Sequence, residues 1–154
     1  MSFDEIEQQL ESINATIKSI DSDTSRAVEI TGDLQRIGED VLIQWITARN
    51  IEPTTGKREG FRLLALHRQA CKGEPSFNAC RETCRELCYY HNLVASDPHH
   101  PEIGKRLMLA TLVAKHLFLF VSGKMQVEIL GEFCCSSRPV RSADADVFEV
   151  PLPD

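Results

Sequence analysis

The chain has 154 residues, of which 42% are hydrophobic and 26% charged, with six cysteines and a net charge of -6. A chain of this size buries about two thirds of its unfolded surface and folds as one domain without disulfides. It is too apolar for a wholly disordered protein, and too poor in Gly and Pro for a collagenous or linker sequence.

The charge is unevenly placed. Residues 1–50 hold ten acids against four bases, whereas residues 51–154 hold thirteen of each. A nucleic-acid binder concentrates the opposite sign along one face. No basic stripe is visible along the sequence, and the acidic segment reads as a solvated helix face. The expectation is therefore a chain that engages neither nucleic acid nor membrane. The first residues, Met-Ser-Phe-Asp-Glu-Ile, show neither the basic nor the apolar region of a secretory leader. The longest apolar stretch, Leu107 to Val121, is interrupted by Lys115 and His116 and falls short of the ~20 residues of a bilayer span. A cytoplasmic location, with its cysteines reduced, is expected.

Phe3, Ile6, Leu10, Ile13, Ile17 and Ile20 alternate spacings of three and four, the a/d seam of a heptad helix. Ser2 and Glu5 form a capping box at its start. The same register continues through Thr24, Ala27, Thr31, Leu34, Gly38, Val41, Trp45 and Ala48. This segment is one helix or two, and Asp21-Ser22-Asp23 favours a break. A loop is expected over 50–57, then a helix from Arg58 to Cys71. Lys72-Gly73-Glu74-Pro75 ends it, and a further helix runs from Pro75 to Ala95. The stripe Phe77, Cys80, Cys84, Leu87, Cys88, His91 and Val94 lies on one face of that helix. After a loop at 96–101, a helix over 101–122 is apolar nearly all round and is expected to be the most buried. Met125, Val127 and Ile129 alternate as in a short strand near 125–130, or continue the helix. Residues 136–154, with three prolines, read as a flexible tail. The expected architecture is an all-α bundle of four to five helices. It is organised as an acidic helical segment (1–50), a helical core (56–135) and the tail.

Two features carry candidate chemistry. His67 and Cys71 on one helix face Cys80, Cys84, Cys88 and His91 on the next, if the two form an antiparallel hairpin. Soft donors from facing helices suit zinc, copper or an iron–sulfur cluster. The competing reading is packing, because free cysteine behaves as a small hydrophobe and no C-x-x-C knuckle is present. A redox pair across the hairpin is a third reading. Cys134-Cys135 and His99-His100 read as inert or solvent-facing, and His116 as a histidine at the core edge. Thr55-Gly56-Lys57 lacks the earlier glycine and the preceding strand of a phosphate loop. No arrangement of a nucleophile and a base is visible. The second feature is the isoleucine-rich seam of residues 3–20, which must pack on its own domain or on a second copy. The reading that follows is a non-catalytic interaction or regulatory module, self-associating as a homodimer or binding a protein partner through residues 3–20. The alternative is a metal-binding or redox-responsive protein.

Overall fold

A computed structural model describes residues 2–18, 24–72 and 80–128. They form an all-α bundle of five helices, with no strand among the described residues: α1 (Phe3–Lys18), α2 (Thr24–Ala48), α3 (Arg62–Ala70), α4 (Arg81–Ser96) and α5 (Ile103–Val127). α1 ends at Lys18 and α2 begins at Thr24, and the expected break falls on residues 19–23, outside the described residues. Its candidate cap, Asp21-Ser22-Asp23, lies outside the described residues, as do Ile20, residues 73–79 and the tail.

α1 begins on the capping box. The Ser2 amide donates to Glu5 Oε1 at 2.8 Å, and the Glu5 amide donates to Ser2 Oγ at 3.2 Å. These bonds favour the ionised carboxylate and hold the Glu5 pKa below its usual value. Ile6, Leu10, Ile13 and Ile17 are buried against the rest of the chain. α1 lies on α5 and α2, and Phe3 meets Phe118 edge-on at 5.7 Å. The apolar seam is thus covered within the chain, and one shared core runs through all five helices.

α2 carries the continued register: Ala27, Thr31, Leu34, Gly38, Val41 and Trp45 are all buried. Its buried stripe is wider than a heptad seam, because Ile30, Ile37, Leu42 and Ile46 are buried as well. The reason is that α2 touches all four other helices. At Gly38 the approach is closest: an added Cβ would lie 3.0 Å from Leu87 Cδ2 and 3.1 Å from Leu63 Cδ1.

Two expectations are corrected, and at Met125 and Val127 one of two open alternatives holds. The helix expected from Arg58 starts at Arg62. Before it, Arg58 and Phe61 exchange both backbone hydrogen bonds at 3.0 Å around a two-residue turn, Glu59-Gly60. Both turn residues have positive φ (54° and 87°), as a type I′ turn requires, and this conformation excludes helix. Met125 and Val127 continue α5 rather than forming a strand, while Ile129 lies outside the described residues. Finally, α5 is not the most buried helix. One side packs on α1, α2 and α4, but Met108, Leu109, Leu112 and Leu119 remain exposed because no described element covers the other side. By length and composition α5 is the one described helix able to cross a bilayer, a test that the core helix of a bundle also passes.

Candidate functional site

The fold brings Cys71 within electrostatic reach of Cys80 and Cys84. His67 lies in the last turn of α3, and Cys71 follows it at the C-cap. The Cys71 Sγ stands 3.4 Å from His67 Nε2. Burial pushes the His67 pKa down and the Cys71 pKa up, and the Arg81 charge lowers both. Desolvation therefore drives the pair toward neutral imidazole and neutral thiol, not toward the thiolate–imidazolium of a nucleophile.

Cys80, Cys84 and Cys88 are core residues, at 2%, 0% and 5% exposure. Cys80 is the N-cap of α4, so the expected start of that helix at Pro75 falls outside the described residues. Burial pushes the Cys80 thiol up to about 12 and the Cys88 thiol to about 11, and Cys84 well above the usual thiol range. These surroundings favour the neutral thiols. Cys88 accepts a hydrogen bond from Gln35 Nε2 at 3.7 Å. His91 sits apart, edge-on to Phe61 with ring centroids 5.4 Å apart. Among the described residues, no three His, Cys, Asp or Glu side chains form a group that could hold a metal ion. Cys80, Cys84 and Cys88 belong to the shared hydrophobic core.

The other histidines also find structural places. The Glu102 amide donates to His100 Nδ1 at 3.0 Å, which satisfies a free N–H just ahead of α5. His116 is exposed on α5 rather than at the core edge. Cys134-Cys135 lies outside the described residues.

What the sequence reading missed is a cationic cleft. A cavity of about 350 Å³ is lined by Arg58, Leu64, His67, Arg68, Cys71, Arg81 and Arg85. The Arg58–Phe61 turn, α3 and the start of α4 each bring part of its wall. The loop before the turn is pinned to α3: the Thr54 amide donates to Gln69 Oε1 and Gln69 Nε2 donates to the Glu52 carbonyl, both at 2.8 Å. Arg62 Nε adds a bond to the Thr54 carbonyl at 3.0 Å. Glu59, at the tip of the turn, receives Arg85 through both carboxylate oxygens at 2.9 and 3.1 Å. Its contact with Arg58 is longer, 3.9 Å. Arg68 and Arg81 form no ion pair among the described residues. A neighbouring open cleft shares Arg58 and Arg68 and adds Lys57 and Lys72. A signal was present in the sequence: residues 57–72 contain five bases and one acid. An excess of four acids over the rest of residues 51–154 cancels it in the sum.

A second surface lies on α5. The exposed Met108 and Leu112 form one wall of a groove of about 160 Å³ whose other wall is α1, with Glu7, Glu11 and Asn14; Lys115 lies on the α5 side. Comparison of the chain with protein-family models, with curated proteins and with solved structures finds no match.

Proposed function

We propose that this chain is a non-catalytic helical interaction module that self-associates through the outer face of α5. The observation that carries the reading is the row Met108, Leu109, Leu112 and Leu119, at 42%, 37%, 59% and 54% exposure. Leu109, Leu112, His116 and Leu119 recur at spacings of three, four and three, the pattern of a helix seam. A contiguous apolar row of this kind is costly to leave in water.

A second copy suits the row better than an unrelated partner because the adjoining groove carries both charge signs. Lys115 lies on its α5 side, and Glu7 and Glu11 on its α1 side. An isologous pairing sets Lys115 of each copy against the acids of the other. Residues 3–18 then contribute their polar outer face to the contact, with Ile6, Leu10, Ile13 and Ile17 engaged in the core.

The test is native mass. Light scattering at tens of micromolar protein is expected to give twice the 17.3 kDa chain mass. Leu112→Glu with Leu119→Glu is expected to give a monomer with unchanged helical circular dichroism. A wild-type monomer, or a dimer that survives both substitutions, overturns the reading.

A further inference from the structure

We propose that the cleft between α3, the Arg58–Phe61 turn and the start of α4 binds the phosphate dianion of a small, soluble phosphorylated molecule. Four guanidinium groups line this cavity. Among the described residues they meet one carboxylate, Glu59, which engages Arg85 closely and Arg58 at longer range. Among the described residues, four guanidinium groups thus share one carboxylate. A carboxylate ligand needs one arginine for a bidentate pair, whereas a phosphate dianion uses several. The wall also includes Arg81, the first residue of α4, whose N-cap makes no side-chain hydrogen bond. The positive end of that helix dipole adds to the field on the same side. The reach of Arg81 into the cavity is visible in its effect on both His67 and Cys71.

The size and lining narrow the ligand. A volume of about 350 Å³ holds a small molecule, and the adjoining cleft continues the cationic lining through Lys57 and Lys72. Among the described residues Leu64 and Ala65 are the aliphatic residues lining the two clefts, and no Phe, Tyr or Trp lines them. A compact polyanion of the pyrophosphate or sugar-bisphosphate class fits this better than a nucleotide. A long polyanion is disfavoured by the acidic residues 1–50, which carry the whole excess charge of -6.

The experiment is calorimetric titration of the full chain with pyrophosphate and with inorganic phosphate, with acetate and chloride as controls at matched ionic strength. Pyrophosphate is expected to bind more tightly than phosphate, with no heat of binding from acetate or chloride. Arg68→Gln and Arg81→Gln alter exposed side chains, so the variants should fold as the wild type. Each is expected to weaken pyrophosphate binding about tenfold. Glu59→Gln frees Arg85 and is expected to tighten it, a change of opposite sign that general destabilisation would not produce. Lys105→Gln, on α5, serves as a distant control and should leave the affinity unchanged. Equal response to chloride, or affinities insensitive to Arg81→Gln and Glu59→Gln, overturns the proposal. So does tighter binding of a phosphoserine peptide or of a duplex oligonucleotide, either of which moves the phosphate from a small molecule to a macromolecule.

Discussion

Two glycines on α2 offer the same substitution with opposite expected signs. Replacing Gly by Ala inside a helix removes backbone freedom from the unfolded chain and stabilises by about 1 kcal/mol where space allows. At Gly32 space allows: the nearest atom to an added Cβ is the flexible Arg36 Nη1, at 3.9 Å. At Gly38 it does not. There the methyl would meet Leu87 Cδ2 at 3.0 Å, Leu63 Cδ1 at 3.1 Å and Leu117 Cδ2 at 3.6 Å. Carbon atoms in van der Waals contact stand about 3.5–4.0 Å apart, so two of the three leucines must retreat by about half an ångström. All three are essentially inaccessible, at 1%, 0% and 0% exposure, and each sits in the shared core. Overpacking of that kind costs about 1–3 kcal/mol. Set against the propensity gain, Gly38→Ala should lose about 1 kcal/mol while Gly32→Ala gains about 1 kcal/mol. Urea denaturation followed by circular dichroism separates the two midpoints without requiring any functional assay. If Gly38→Ala stabilises as much as Gly32→Ala, then α3, α4 and α5 do not close on α2 at this point. The packing described for the centre of the bundle would be wrong.

Further outcomes follow from the buried polar groups. Native protein treated with iodoacetamide at pH 8 should leave Cys84 and Cys88 unmodified, with modification appearing only on unfolding; peptide mapping that finds Cys84 alkylated in folded protein would contradict its burial. EDTA should leave the melting temperature unchanged, and Cys84→Ala should cost a packing-sized ~1–2 kcal/mol; stoichiometric metal lost in that variant would revive the metal reading. Gln35 is 6% exposed, with its Oε1 lacking a partner among the described residues and only a 3.7 Å bond to sulfur from its nitrogen. Gln35→Met should therefore be neutral or stabilising by up to about 1 kcal/mol, and a loss above that in a thermal melt would show that the amide is satisfied. His67 has a folded pKa below the ordinary 6.5, so the unfolded chain binds the extra proton first. Stability should decline as the pH falls below about 6.5 and level off once the folded imidazole also protonates. His67→Gln should flatten that part of the pH profile, and an unchanged profile would show that His67 is not desolvated.

The helices were legible in the sequence because their signals are local. The Ser2–Glu5 capping box forms as read, and the register running from Ile6 to Trp45 predicts the inward residues of both α1 and α2. Backbone periodicity of 3.6 residues ties inward positions to spacing without reference to the rest of the fold. The cysteine stripe was equally visible, but spacing could not separate packing from ligation. Only the tertiary structure shows that Cys80, Cys84 and Cys88 are buried, which raises their thiol pKa values.

Two features belong to the tertiary structure alone. The all-round apolarity of α5 was plain, yet which side would be covered depended on where α1, α2 and α4 pack, and Met108, Leu109, Leu112 and Leu119 are left outside. The arginine cleft was invisible to a reading along the chain because its cations come from residues 58, 68, 81 and 85, spread over the turn, α3 and α4. Net charge sums over sequence, whereas the electrostatic field sums over distance. The tight turn at Glu59-Gly60 and the juxtaposition of α3 with the start of α4 bring four guanidinium groups to one cavity, where among the described residues one carboxylate, Glu59, meets them.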